Sequence, residues 1–379
     1  MHGPGTLSAV SEPSPAEGTS AAGVDEAAPG GVGQDGDARP AAADGTLDVV
    51  GIGSPLVDVL AEASEQEIKE AGLVRGSMAL VDLERAEAIH DGMRATREVS
   101  GGSAANTMAG VAALGGSAGF VGKLADDRLG RLFTEDIRSA GVVFEPLHLA
   151  PADDGPPESR GTGRCLVLVS GDTERTMATH LGAAVTISPA DVDDGLVARA
   201  GVVYLEGYLW DLPPAKEALR SAVRAARAAD GAVALSLSDP FCVERHQREF
   251  LALVRDDIDV LFGNEEEMVR LFGVRSLREA VDAAEETGLL VAITRGADGA
   301  VVTTAHGPVE VPAHAVERVV DTTGAGDLFA AGFLHGLTHG ADPQRCARLG
   351  ALCAAEVIAH LGARPERDLR ALAADAGLL

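Results

Sequence analysis

The stretch VVDTTGAGD (residues 319–327), followed by LFAAGFLHGL (residues 328–337), decides the fold class and carries the strongest chemical signal in the sequence. The apolar pair before the motif predicts the end of a strand, the small residues predict a tight turn, and the apolar run predicts a helix. The first amides of a helix have no intrahelical acceptor, so Gly324, Ala325 and Gly326 can present N–H groups to a phosphoryl group. Asp327 then stands where a carboxylate can accept the proton of an attacking hydroxyl. The alternative is a glycine-rich turn whose aspartate only complements the helix dipole.

Short apolar runs alternate with helical patterns over most of the chain. The strand-like runs are at 47–52, 201–205, 232–237, 259–262 and 289–294, and the helical patterns are at 104–114, 129–140, 213–229, 265–272 and 327–337. Continuous apolar strands are typical of a sheet that is buried on both faces. Because strand and helix alternate, the sequence predicts an α/β fold with a mostly parallel sheet and right-handed crossovers.

One region breaks this alternation. The runs RCLVLV (164–169) and RTMAT (175–179) flank the polar turn 170–173 with no helix between them, which predicts a hairpin. Extended segments near 57–61 and 77–81 can join it in a small separate sheet. A small sheet beside an α/β core is typical of a lid, so we expect a β lid on one domain that spans residues 45–379.

Residues 1–44 differ in composition from the rest of the chain. They are rich in Gly, Ala, Pro, Ser and acidic residues, and Arg39 is their only lysine or arginine. Such a segment buries too little apolar surface to offset its ordering entropy. We therefore expect a disordered acidic tail, with a partner-binding segment as the alternative.

The charge and the cysteines limit the possible partners and the location. The 379-residue chain has a formal net charge of -27, which repels nucleic acid and anionic lipid, so we expect neither as a partner. The same field repels ATP, and a phosphate site must therefore supply its own local positive potential. The four cysteines form no C-x-x-C pair, and no run is apolar enough to cross a bilayer. These features predict a soluble, cytoplasmic protein with reduced thiols.

A second glycine-rich turn precedes another predicted helix. SGGSAAN (100–106) leads into TMAGVAALGG (107–116), where the glycines permit close backbone approach and Asn106 can both donate to and accept from vicinal hydroxyls. Asp58 lies in GIGSPLVDVL (51–60), just after the first predicted strand, and is a further candidate for binding hydroxyls. Taken singly, each feature also fits an ordinary turn or a surface carboxylate.

Together these motifs resemble the signatures of the ribokinase-like (PfkB) family of carbohydrate and nucleoside kinases. Residues 321–327 match the pattern D-T-x-G-A-G-D in full, and residues 101–106 match G-G-x-x-x-N. The resemblance implies a three-layer α/β/α core with a mostly parallel sheet and a small β lid, and ATP-dependent phosphorylation of an alcohol. It also implies roles for individual residues: Asp327 as the catalytic base, Gly324, Ala325 and Gly326 as the anion hole, Gly101 and Gly102 as the lid hinge, and Asp58 and Asn106 as the sugar ligands.

Further matches follow in the same order as in the family. Asn264 and Glu267 resemble N-x-x-E, whose carboxylate organises Mg²⁺ through water, and Thr294 and Gly296 resemble the T-x-G that contacts ATP phosphates. The resemblance also places Thr322 at the ATP. Glu267 has an alternative role in the first turn of a helix that Asn264 begins. The resemblance admits a stimulating monovalent cation such as K⁺ near Asp321.

The regional pattern is most similar to that of bacterial adenosine kinases. RTMATHLGAA (175–184) resembles R-x-x-x-A-N-L-x-A-A, in which Arg175 is brought towards the transferring phosphate, and LSLSDPF (235–241) resembles L-N-L-S-A-P-F. Tyr208 falls where that group places an aromatic residue near the base and can supply a stacking face. Ser54 and Asp239 depart from the pattern, which leaves the recognition of adenine open. We expect conversion of adenosine to AMP, as in purine salvage.

Other functions stay open as alternatives. They are a kinase for another nucleoside or for a free sugar of the ribose or fructose type, and a catalytically silent nucleoside sensor. A dinucleotide-binding fold is disfavoured because GIG (51–53) has no third glycine, and a P-loop is absent because Leu124 follows Gly122 and Lys123. A monomer and a homodimer are equally compatible with the sequence.

Overall fold

The computed structural model describes residues 45–94, 96–146, 148–151, 157–171 and 174–379. The predicted acidic tail, residues 1–44, lies outside the described residues, as do two residues of the predicted hairpin turn.

Within the described residues the strands form two sheets, one of nine strands and one of five. The bounds of the strands are β1 Leu47–Ile52, β2 Leu56–Glu62, β3 Met78–Leu80, β4 Arg97–Gly101, β5 Ala118–Val121, β6 Val143–Phe144, β7 Thr162–Val169, β8 Arg175–Gly182, β9 Ala200–Glu206, β10 Ala232–Ser236, β11 Val260–Asn264, β12 Leu290–Thr294, β13 Ala300–Val302 and β14 Val309–Val311.

The larger sheet has the strand order β14-β13-β12-β11-β10-β9-β1-β5-β6. From β12 to β6 all neighbouring strands are parallel. β13 pairs antiparallel with both β12 and β14. The predicted α/β fold with a mostly parallel sheet is therefore confirmed. Parallel strands end at the same edge of the sheet, and this edge brings together the residues that follow β1, β9, β11 and β12.

Helices cover both faces of this sheet. The described helices are α1 Glu65–Glu70, α2 Leu83–Gly92, α3 Ser103–Ala113, α4 Arg128–Ser139, α5 Asp194–Val197, α6 Pro213–Ala228, α7 Pro240–Asp256, α8 Glu265–Phe272, α9 Leu277–Glu286, α10 Ala325–Thr338, α11 Pro343–Val357 and α12 Leu369–Asp375.

Successive strand residues point into different cores, which produces the three layers. Val49 on β1 belongs to the core cluster that includes residues of α3, α10 and α11, whereas Val50 belongs to the cluster that includes residues of α6, α7 and α9. This alternation is the period of two that a strand imposes on its side chains. Because both faces are covered by helices, the strands read as continuous apolar runs rather than alternating ones.

The smaller sheet has the strand order β3-β8-β7-β2-β4. It contains the hairpin segments β7 and β8, which pair antiparallel, and the two extended segments that the sequence suggested, as β2 and β3. It also contains β4, which the sequence analysis did not assign. β4 pairs antiparallel with β2 and ends at Gly101, immediately before α3.

The strand predicted just before the DTTGAGD motif does not form. Val319 is 54% exposed, and the backbone N–H groups of Val320 and Asp321 both donate to the carbonyl of Ile358 at the end of α11. A helix end offers carbonyl groups that lack intrahelical donors, and here they take the place of a neighbouring strand. The motif is thus anchored to α11 rather than to the sheet.

Candidate active site

The two glycine-rich motifs meet at the carboxylate of Asp327. This residue lies in the first turn of α10, where its Oδ1 accepts from Ser103 Oγ at 2.7 Å and its Oδ2 accepts from Asn106 Nδ2 at 3.0 Å. Both donors belong to the first turn of α3. Burial raises the pKa of Asp327, and the hydrogen bonds from Asn106 and Ser103 oppose that rise. The carboxylate is therefore held in place by neutral donors and stays available as a proton acceptor.

Gly324 and Gly326 differ in their surroundings within the turn before α10. Gly324 has φ +79°, and a Cβ atom there would lie 2.8 Å from the Cβ of Ala363. A Cβ on Gly326 would meet nothing within 4 Å. Between them, the N–H of Ala325 donates to the carbonyl of Thr322 at 3.3 Å. The turn is thus packed on one side and open on the side of Gly326, where a phosphoryl group can approach the helix N-terminus.

The glycine pair Gly101 and Gly102 makes room for Asp58. A Cβ on Gly101 would lie 2.5 Å from Cγ of Asp58, and a Cβ on Gly102, which has φ +95°, would lie 2.2 Å from the carbonyl oxygen of Ser54. Asp58 is the third residue of β2, opposite Val99 of β4. Burial raises the pKa of Asp58 to about 6, and the charge of Arg364 opposes that rise.

Asn106 has a buried acceptor that the protein does not use. The residue is 3% exposed, its Nδ2 donates to Asp327, and its Oδ1 has no hydrogen-bond partner among the described residues. A buried carbonyl oxygen without a donor carries a free-energy cost, which a hydroxyl group placed beside it would remove. Asn106 thus offers a hydrogen-bond acceptor next to the Asp327 carboxylate.

Arg175 links the smaller sheet to the turn before α10. It lies on β8, where its Nη1 donates to Thr323 Oγ1 at 2.8 Å and its Nη2 donates to Asp321 Oδ2. Asp321 also accepts from the amides of Thr323, at 3.0 Å, and Gly362, at 2.8 Å. Because the guanidinium of Arg175 already neutralises the Asp321 carboxylate, this carboxylate does not fit a monovalent cation such as K⁺ as a second partner.

The residues predicted to contact ATP lie at the ends of two neighbouring strands. Asn264 ends β11 and Thr294 ends β12, and the two are paired in register. Gly296 follows Thr294 by two residues and has φ +57°. Asn264 caps α8, and both oxygens of Glu267 accept from it, Oε2 from its backbone N–H at 2.9 Å and Oε1 from its Nδ2 at 2.8 Å. Each oxygen keeps a further lone pair, so the carboxylate fits a water-mediated contact with Mg²⁺.

Two departures from the adenosine kinase pattern have structural roles. Asp239 caps α7 through a hydrogen bond from the amide of Cys242 to its Oδ1 at 2.8 Å. The amide of Ser54 donates to Glu206 at 3.3 Å. Tyr208 lies in the short helical turn Gly207–Asp211 and is 41% exposed.

Glu206 is a buried acidic residue that the sequence analysis did not select. It ends β9, is 2% exposed, and accepts from the amide of Ala104 at 2.9 Å as well as from Ser54. Burial raises the pKa of Glu206 to about 7. The Glu206 carboxylate thus connects the loop after β1 with the start of α3 by hydrogen bonds to the amides of Ser54 and Ala104. A glutamate at the end of an otherwise apolar strand is the signal that could have identified it.

In the described part of the chain, no helix is both long enough and apolar enough to cross a membrane.

Comparison with known proteins shows the family to which the chain belongs. Residues 73–368 match the model of the pfkB family carbohydrate kinases. The chain is 31% identical to an ATP-dependent ribose-1-phosphate kinase of Halopiger xanaduensis, covering 74% of this chain and 88% of that one, and 30% identical to a 5-dehydro-2-deoxygluconokinase of Shouchella clausii, covering 77% and 91%. The structure of adenosine kinase from Sinorhizobium meliloti superimposes with a TM-score of 0.80 at 44% identity, covering 87% of this chain and 99% of that one. The chain therefore belongs to the PfkB family of carbohydrate kinases and is an ATP-dependent sugar or nucleoside kinase.

Proposed function

We propose that this kinase phosphorylates a hydroxyl group of an uncharged nucleoside, with adenosine as the first candidate and AMP and ADP as the products. The observation that carries the proposal is the convergence of Asp327 and Asn106, from motifs 221 positions apart, beside a site rich in carboxylates. The similarity to an adenosine kinase at 44% identity supports the same choice.

In the proposed mechanism, the acceptor is held before the proton moves. Asp58 and the free Oδ1 of Asn106 accept hydrogen bonds from sugar hydroxyls, and the exposed ring of Tyr208 stacks on the base. Asp327 accepts the proton of the attacking hydroxyl while the hydroxyl oxygen forms a bond to the γ-phosphorus of ATP. The bond between that phosphorus and the ADP oxygen breaks, and ADP leaves. This proton transfer needs Asp327 in its ionised form.

The ATP side provides positive potential for the transferring group. The amides of Gly324 and Gly326 at the start of α10 face the phosphoryl oxygens, and Arg175, which is paired with Asp321, supplies hydrogen-bond donors beside them. The amide of Ala325, which the resemblance also assigns to the anion hole, donates to the carbonyl of Thr322 instead. Asn264, Thr294, Gly296 and Thr322 hold the nucleotide. Glu267 would hold Mg²⁺ through water, and that ion would supply neutralisation of phosphate charge.

The charges around the acceptor favour an uncharged molecule. Three carboxylates surround the Gly101–Gly102 turn and the start of α3: Asp327 accepts from Ser103, Glu206 accepts from the amide of Ala104, and Asp58 lies against Gly101. The guanidinium of Arg175 is already paired with the carboxylate of Asp321, and the charge of Arg364 offsets only one of the three carboxylates. Ribose 1-phosphate and 5-dehydro-2-deoxygluconate are anions, which like charges would repel.

An acceptor panel tests this choice. We expect kcat/KM for adenosine to exceed that for ribose 1-phosphate and for 5-dehydro-2-deoxygluconate by about 10²-fold or more, because juxtaposed like charges cost several kcal/mol and 1.4 kcal/mol is tenfold. The assay measures ADP formation with ATP, and mass spectrometry identifies the phosphorylated product. Guanosine, inosine, cytidine, ribose and fructose complete the panel.

The panel also decides between the alternatives. A preference for either anionic acceptor would contradict the proposal. A preference for ribose or fructose would show that the acceptor is a free sugar and not a nucleoside. Adenosine binding by calorimetry without ADP formation from any acceptor would indicate a sensor.

The acidic groups also predict how activity depends on pH. Burial raises the pKa of Asp58 to about 6 and that of Glu206 to about 7, and it moves the pKa of Asp327 upward. Carboxyl groups with raised pKa values gain protons at higher pH than usual, so the ionised form is lost early on acidification. We therefore expect kcat/KM for the acceptor, which reports the free enzyme, to fall as the pH drops from 8 through 7 to 6.

The pH dependence of stability distinguishes a loss of activity caused by protonation from one caused by unfolding. A carboxyl group whose pKa is raised by folding stabilises the native state below its unfolded pKa, and that contribution is lost as pH rises through the folded value. Because of Asp58 and Glu206, the stability of the folded protein should therefore decrease as the pH rises from 4 to 7. Activity should increase over the same change in pH. Melting temperatures recorded at each pH provide the control, and a kcat/KM that stays constant from pH 8 to 5.5 would contradict the prediction.

A further inference from the structure

Arg364 lies outside every motif of the sequence, in the irregular segment between α11 and α12. The two residues before it support the turn before α10: the amide of Gly362 donates to Asp321 Oδ2 at 2.8 Å, and Ala363 packs against Gly324. The segment that carries Arg364 is thus fixed to the DTTGAGD motif on one side.

The side chain of Arg364 extends to the other glycine-rich turn. Its Nε donates to the carbonyl of Ser100 at 3.2 Å, its Nη2 to Ser100 Oγ at 2.8 Å, and its Nη1 to the carbonyl of Ala105 at 3.0 Å. These acceptors stand immediately before and shortly after Gly101 and Gly102. One rigid, planar guanidinium therefore spans the glycine pair.

The positions of both proposed acceptor-binding residues, Asp58 and Asn106, depend on this turn. β4 ends at Gly101 and pairs with β2, so that Ser100 lies opposite Val57, the neighbour of Asp58. α3 begins after Gly102 and carries Asn106. Fixing Ser100 and Ala105 relative to each other thus fixes the distance between the β2 carboxylate and the α3 amide.

The positive charge of Arg364 has a second effect. Burial lowers the pKa of Arg364 to about 10, so the group stays protonated at neutral pH. Its charge lowers the pKa of Asp58 and that of Asp327, which burial raises. Removing the charge should therefore move the protonation of these carboxylates to higher pH.

We propose that Arg364 is a positioning residue for the phosphoryl acceptor, because its three hydrogen bonds set the spacing of Asp58 and Asn106 across the Gly101–Gly102 turn. The proposal rests on the proposed function, in which those two residues bind the acceptor hydroxyls. The three hydrogen bonds of Arg364 are made to protein groups, those of Ser100 and Ala105.

The test compares Arg364→Gln and Arg364→Lys. For Arg364→Gln we expect kcat/KM for the acceptor to fall by about 10²-fold, as small displacements of binding groups do, while KM for ATP stays within about twofold. The acid limb of the pH profile should move to higher pH. Arg364→Lys keeps the positive charge but loses the planar guanidinium. The acid limb of its pH profile should therefore lie close to that of the wild type, while kcat/KM stays low.

Arg345→Gln is a matched control. Arg345 also bonds to backbone carbonyls, those of Leu378 and Gly377, and it lies 13 positions before Ile358, the C-cap of α11, which places it about 20 Å along the helix axis from the end that contacts the DTTGAGD motif. Its kinetic constants should not change. If Arg364→Gln does not fold, Ser100→Ala removes a single acceptor, and a fall of about 3-fold or more in kcat/KM for the acceptor is then expected.

Other results would overturn the proposal. A folded Arg364→Gln enzyme with a lower melting temperature, but with wild-type acceptor constants and pH profile, would show a structural role only. The measurements use whichever acceptor of the panel the wild-type enzyme phosphorylates best, so a failure of the adenosine assignment is recognised in the wild type, before any variant is compared.

Discussion

Asp327→Asn is expected to lower kcat by about 10²-fold or more while the dissociation constants of acceptor and ATP stay within a few-fold. The carboxylate is the proton acceptor of the proposed mechanism, and loss of general-base assistance typically costs 10²- to 10⁴-fold. An interaction needed only in the transition state lowers kcat without weakening binding of the ground state. Steady-state kinetics and calorimetry on one preparation measure all three constants.

The surroundings of Asp327 can accept the amide without unfolding. Ser103 donates through a hydroxyl that can rotate and accept instead, and Asn106 has its unpartnered Oδ1 available if its amide group turns over. The introduced N–H groups therefore have acceptors nearby. We expect the melting temperature to change by only a few degrees, as for the loss of about 0.3–1 kcal/mol of helix-dipole stabilisation.

Asp342→Asn provides the control for this substitution. Asp342 caps α11, and its Oδ1 accepts from the amide of Arg345 at 2.9 Å. Asparagine caps helices about as well as aspartate, so this variant loses one negative charge at a helix start without losing activity. If Asp327→Asn behaves in the same way, with turnover close to wild type, Asp327 only complements the helix dipole and the proposed mechanism is wrong.

The sequence predicted the layers of the fold because they depend on local patterns. The run 47–52 and the run 289–294 are continuous and apolar, and both form parallel strands that are buried on two faces. The segment 319–320 has a similar pattern, yet it forms no strand, because the carbonyl of Ile358 on α11 accepts from its backbone. That competition depends on a residue that is distant in the sequence, and the local pattern contains no sign of it.

The same limit applies to the site. Asp327, Asn106 and Asp58 lie in motifs, and sequence resemblance selects them. Glu206 and Arg364 act on the glycine-rich turn through bonds that span 102 and 264 positions, respectively. No spacing rule connects residues so far apart, and their partners are backbone groups, which every residue has. The role of Arg364 becomes visible only when the chain is folded, whereas Glu206 is marked in the sequence only by its acidic side chain at the end of an apolar strand.

Gly102→Ala is the second substitution for which we expect a large effect, a fall of about 10²-fold or more in kcat/KM for the acceptor. The backbone of Gly102 has φ +95°, a region in which a residue with a Cβ costs about 1–3 kcal/mol. The added Cβ would also lie 2.2 Å from the carbonyl oxygen of Ser54, a backbone atom that cannot rotate away. The turn must therefore open, which moves β4 and Asp58 away from α3 and Asn106.

Gly92→Ala serves as the control for this change, because an added Cβ there meets nothing within 4 Å and φ is not positive. Its stability and kinetics should match those of the wild type. For Gly102→Ala, KM for ATP should stay within a few-fold, since Asn264 and Thr294 lie on β11 and β12 of the larger sheet, whereas the turn follows β4 of the smaller sheet. A folded Gly102→Ala enzyme with wild-type acceptor constants would show that this turn does not set the acceptor site, and it would remove the basis for the role of Arg364.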